Sequence, residues 1–136
     1  MKKYFLFFII TITLSACKSK KEKLLNTVWK SEFSIYNETG VINYWNSIYL
    51  FGKDGKFYNC EIKNGQLTNF ELDNGFHGDV DSGQRIWEFC DDTLKTPMSN
   101  YLVLKLNSDS LVLDDLKYHE SLHFKRINLK VPENLN

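Results

Sequence analysis

After residue 24 the chain is written in a period of two. From Thr27 to Tyr36, Trp29, Ser31, Phe33 and Ile35 alternate with Lys30, Glu32 and Ser34. Successive side chains of a strand point to opposite faces, so such a run buries one face and wets the other. Further short runs rich in Val, Ile, Tyr, Phe and Trp cover 44–51, 56–63, 66–72, 85–90, 101–106, 111–114 and 118–127. Gly52-Lys53-Asp54-Gly55 and Asn64-Gly65 divide three of them, and these residues tolerate the positive φ of tight hairpin turns. Longer breaks fall at 73–84 and, with Pro97, at 91–100. Eight short strands joined by turns predict an antiparallel all-β domain. Sequential hairpins favour an up-and-down meander. Closing it into a small eight-stranded barrel removes the exposed edges, with an open sandwich as the alternative. A short helix over 20–26 is compatible with the sequence.

The first sixteen residues follow another rule. Lys2 and Lys3 precede an apolar run from Tyr4 to Leu14, broken only by Thr11 and Thr13. Its eleven residues fall short of the roughly 20 that span about 30 Å of hydrocarbon. This is the pattern of a secretory signal, with small Ser15 and Ala16 leading into Cys17. Residues 1–16 are thus read as a signal peptide, 17–23 as a polar tether, 24–130 as the barrel domain and 131–136 as a C-terminal tail.

Leu14-Ser15-Ala16-Cys17 resembles the lipobox of bacterial lipoproteins. The resemblance implies cleavage before Cys17 and acylation of that residue, which makes the membrane a partner through lipid. One acyl chain binds a bilayer marginally, whereas two or three on one residue hold it durably. Export and a cell-envelope location follow from the same reading.

Without the signal's two lysines the chain carries 15 basic and 17 acidic side chains. That balance lacks the basic stripe of a nucleic-acid binder. Cys60 and Cys90 remain once Cys17 is assigned to lipid. An oxidising compartment favours a disulfide. The meander instead sets their strands about 9.6 Å apart, beyond bonding reach. Both readings stay open.

Several segments resemble the lipocalin-like domains of bacterial lipoproteins. They are Leu25-Asn26-Thr27-Val28-Trp29, Leu50-Phe51-Gly52-Lys53-Asp54-Gly55, the hairpin from Tyr101 to Leu113, and Phe124-Lys125-Arg126-Ile127. Thr27 stands where the lipocalin entry motif has glycine, and the chain is shorter than a typical lipocalin. The resemblance implies a barrel in which Arg126 packs over Trp29 as a cation–π pair.

His119-Glu120-Ser121-Leu122-His123 spells the zinc-protease motif His-Glu-x-x-His. That motif works on a helix, whereas this segment alternates as a strand. Four residues of strand part the histidines by roughly 13 Å, too far for one zinc. Asp79-Val80-Asp81-Ser82-Gly83 has the carboxylate spacing of half a calcium loop, but the closing glutamate is out of register. His77 near Asp79 has no accompanying nucleophile motif. Trp45, Tyr49, Tyr58, Phe70, Trp87 and Phe89 serve either as core or as pocket lining.

The sequence therefore points to non-enzymatic binding, without a cofactor or metal. The leading expectation is a small apolar ligand inside the barrel, with Tyr58, Phe70, Trp87 and Phe89 as its lining. The alternative is a filled barrel that meets another envelope protein through its surface. The remote alternative is a zinc hydrolase using His119, Glu120 and His123.

Overall fold

The computed structural model describes residues 20–25, 27–73, 76 and 86–135. The signal peptide, Cys17, His77 and the Asp79–Gly83 segment lie outside the described residues. Among the described residues no helix is long and apolar enough to cross a membrane.

The domain is all-β. Its strands are β1 (Val28–Tyr36), β2 (Ile42–Tyr44), β3 (Ile48–Phe51), β4 (Phe57–Lys63), β5 (Gln66–Leu72), β6 (Glu88–Cys90), β7 (Thr93–Lys95), β8 (Asn100–Leu106), β9 (Ser110–Asp115) and β10 (Glu120–Ile127). All pair antiparallel in one sheet of order β5-β4-β3-β1-β10-β9-β8-β7-β6, with β2 beside β1 off that path. The sheet curls into a half-barrel, and its first and last long strands lie side by side at the centre of the order. An isolated bridge between Lys56 and Ile86 ties the start of β4 to the approach to β6. Trp87 N–H donates to Gly55 O at 2.8 Å beside it.

Turn chemistry sets the hairpins as the sequence predicts. Asn64 and Gly65 take φ of 52° and 74° between β4 and β5, the left-handed pair that matches strand twist. Asp54 Oδ1 accepts from Lys56 N–H at 2.9 Å in the turn before β4. Gly52 is needed there, because a Cβ would meet Asp54 Oδ1 and the Tyr58 ring.

Three expectations are corrected. The predicted strand 44–51 breaks at residues 45–47, so β2 and β3 are separate. The polar break at 91–100 contains β7, whose turn from β6 uses Asp91 and Asp92 at φ 49° and 60°. Aspartate tolerates that left-handed conformation without glycine. In β1 a register shift falls between Ser31 and Phe33. The extra residue, Glu32, reverses the faces. Trp29 and Ser31 face the interior with buried Phe124, whereas Phe33 and Ile35 turn outward and Ser34 inward beside Leu122.

Aromatic and leucine side chains crowd the interior. Phe76, from the long connection after β5, sits among Tyr49, Phe57, Tyr101 and Phe124, with ring centroids 4.8–5.1 Å away. Phe51 packs against Phe57 and Trp87 at 5.0 and 5.1 Å. Trp29, Leu94, Leu111, Leu113 and Leu122 complete the cluster. Burial pushes the Tyr49 and Tyr101 phenols above their ordinary range, because the phenolate form is the one a dry interior penalises.

A second cluster covers part of the outer face. Val28, Ile48, Leu50, Tyr58, Cys60 and Leu67 pack with Val131, Leu129 and Leu135 from the returning C-terminal segment. The tail expected at 131–136 thus includes a buried anchor, Val131, and a 3-10 turn at Glu133–Leu135. The tether expected over 17–23 is helical at 20–23, in a segment that runs on to Leu24, which is fully buried in the interior cluster.

Candidate functional site

The rim at the far end of β1 combines unsatisfied polarity with exposed aromatics. Past the Glu32 bulge, β1 presents Ser34 and Tyr36 to the inside, opposite Leu122 and Glu120 of β10. Asn43 and Trp45 join them from β2 and the residues after it. With Phe76 these side chains line a cavity of about 180 Å³. At about 30 Å³ per water it holds only a few non-hydrogen atoms, below the roughly 300–1,000 Å³ of a drug-sized site.

Its polar groups are specific. Glu120 is 2% exposed. The indole N–H of Trp45 is buried and meets no acceptor among the described residues. Beside Glu120 in the register lies Asp115, fully buried, whose Oδ1 accepts from Ser99 Oγ at 2.7 Å and from the N–H groups of Lys117 and Tyr118 at 2.9 and 3.0 Å. The carboxylate of Asp115 thereby fixes the β9–β10 turn.

The outward side of the same rim is apolar. Tyr44, 80% exposed, pairs with Phe33 in the register, and Phe33 pairs with His123. The Phe33 and His123 rings stack at 4.4 Å and 19°. Burial lowers the His123 pKa; the Glu32 carboxylate opposes this and Lys105 adds to it. Val41 and Ile42, about half exposed, extend the patch. β2 has β1 as its one strand partner among the described residues.

The residues expected to line a pocket divide between two clusters. Trp87 and Phe89 are packed in the interior, and Trp87 Nε1 donates to Gly52 O at 3.3 Å. Tyr58 and Phe70 belong to the outer cluster, edge to face at 6.5 Å. Tyr58 donates to Asp54 Oδ2 at 2.7 Å, and burial, then that bond, pushes its pKa up to about 12. None of the four lines the rim cavity.

Trp29 and Arg126 are direct partners in the β1–β10 register. The cation–π contacts of the described residues are instead Lys21 over Trp87 and Lys117 over Tyr118. Arg126 Nη1 donates to Ser108 O at 3.4 Å. Cys60 is buried on the outer face of β4, where burial pushes its thiol up to about 12. It is not bonded to Cys90, which is exposed on β6.

β10 also parts the His-Glu-x-x-His residues. His119 precedes the strand at φ 54°, Glu120 faces inward, and His123 faces outward onto Phe33. No group of three or more metal-capable side chains occurs among the described residues.

The residues that sequence reasoning missed are Phe33, Tyr44 and Phe76. The Glu32 bulge hid the first two; Phe76 lies in a stretch rich in glycine and aspartate that carries no periodic signal. Comparisons with protein-family models, with curated proteins and with solved structures give no match.

Proposed function

We propose that this chain is a lipid-anchored envelope lipoprotein whose barrel is a filled scaffold for binding another envelope protein. The carrying observation is Phe76, which occupies the interior where an apolar ligand would sit. A filled core with Tyr44, Ile42 and Val41 exposed beside a strand that has one partner among the described residues suits docking of an extended segment along β2. The finer fold reading is a closed, lipocalin-like barrel of eight main strands. It draws support from the β1–β10 pairing and from the Lys56–Ile86 bridge. The anchor reading rests on the Leu14–Cys17 motif and its preceding apolar run.

A photo-crosslinking residue placed at Tyr44 in intact cells tests the role. A single discrete adduct is expected from position 44 and none from exposed Leu104 on β8. Ile42→Asp should remove the adduct while stability stays within about 0.5 kcal/mol, as for most surface changes. Equal adducts from both positions would overturn the docking site.

A second reading is a very small ligand held at the rim cavity. It is favoured by the Trp45 indole N–H, a buried donor that meets no acceptor among the described residues and shares the cavity wall with Glu120.

A further inference from the structure

The chain enters the domain at the end opposite the rim, and contacts with the domain hold it there. Lys20 pairs with Asp92, and the Lys21 ammonium lies 5.5 Å from the Trp87 ring centre. Leu24 is fully buried, and Leu25 bridges to Phe51. The turns 52–55, 91–92 and 107–109 surround this entry, because β3, β4 and β6 to β9 all begin or end there.

Cys17 is three residues before Lys20. Extended chain covers at most about 3.6 Å per residue, so these span no more than about 11 Å. The headgroup layer of one leaflet is roughly 5–7 Å thick. A domain of this length has a radius of gyration of about 13 Å, larger than that tether. The point of attachment is therefore pinned close to the bilayer, and the domain cannot turn over.

The surface at this end suits a bilayer. Ile86 is 57% exposed beside the 52–55 turn, flanked in space by Lys56, its bridge partner. Exposed Lys53 shares that turn. A groove lined by Lys23, Arg126, Asn107, Ser108 and Glu22 offers a phospholipid phosphate two cations and two neutral polar side chains beside one carboxylate.

Resting on the reading of Cys17 as the lipidated residue, we infer that this entry end is the face set against the membrane, with Ile86 in the headgroup layer. The β2 rim then points away. Phe33, the register partner of Tyr44, lies five steps of strand from Val28, about 17 Å at roughly 3.3 Å each. The docking patch thus stands clear of the lipid.

The test uses the full chain, expressed and processed in a bacterial envelope, then reconstituted into phosphatidylcholine–phosphatidylglycerol vesicles. In a Cys90→Ser background, a fluorophore is attached at Ile86→Cys, Lys53→Cys or Tyr44→Cys, and doxyl-labelled lipid is added. Loss of fluorescence is expected at 86 and 53 and not at 44. Intact mass reports acylation of Cys17 separately. An acylated chain quenched as strongly at 44 as at 86 keeps the anchor and overturns the orientation. A chain without acyl mass at Cys17 overturns the anchor reading and the orientation with it.

Discussion

β2 and β3 are neighbours in sequence and line the same edge of β1, yet they are opposites. Every residue of β3 is buried; every residue of β2 is exposed. β3 is covered on both faces, by the aromatic interior through Tyr49 and Phe51 and by the C-terminal segment through Ile48 and Leu50. β2 lies past the Glu32 bulge, where β1 has exchanged its faces. One extra residue in a strand moves the apolar set from one side to the other. Here it moves Phe33 and Ile35 outward, where Tyr44 and Ile42 meet them. The lower half of the sheet thereby serves stability and the upper half offers a surface.

The largest expected effect breaks the β3 side. Phe51 is fully buried between Phe57 and Trp87. Phe51→Ala removes a ring from a dry interior and should cost about 3–5 kcal/mol in urea unfolding. Tyr44→Ala on β2 should change stability by no more than about 0.5 kcal/mol in the same measurement. Comparable losses at the two positions would mean that β2 is buried after all.

A smaller effect sharpens the boundary between the two strands. Ser31 is 1% exposed and bonded to both sides of the break. Its Oγ donates to Trp45 O at 3.1 Å and accepts from Ser47 N–H at 2.7 Å. Ser31→Ala leaves the half-buried Ser47 N–H without its acceptor, at a cost of about 1 kcal/mol. Amide exchange should accelerate at residues 42–47 more than at 57–60. Uniform acceleration would show that Ser31 supports the whole sheet and not the junction.

Periodicity of two made the fold class legible, and the Asn64-Gly65 and Asp54-Gly55 turns fixed two hairpins. The bulge was not legible, because Glu32 fits the polar phase of an uninterrupted strand as well as it fits a bulge. β7 escaped because Thr93-Leu94-Lys95 offers one inward apolar residue after two aspartates. The filling of the interior was illegible too. Interior volume depends on Phe76, whose place is set by tertiary contacts alone. Tyr58 and Phe70 share the outer cluster across a register shift at Asn59/Glu61 in the β4–β5 pair, which no single run displays.

The smallest effect concerns the rim's own chemistry. His123 stacks on Phe33, and burial lowers its pKa below the ordinary value of about 6.5. The unfolded chain then takes up a proton at higher pH than the folded one. The stacked histidine therefore contributes fully above about pH 6.5, and its contribution is lost as pH falls through the folded pKa. Phe33→Ala removes the ring that buries the imidazole while Glu32 remains, so the pKa should rise toward the ordinary value or past it. The proton resonance of the His123 ring, followed from pH 8 to 4 at about 25 °C, reads both midpoints. A native midpoint at or above that of the Phe33→Ala chain would mean that the stack does not dry His123. The outer patch would then be a wetted surface, poorly suited to receive a partner's apolar side chains, and the contrast with β3 would rest on exposure alone.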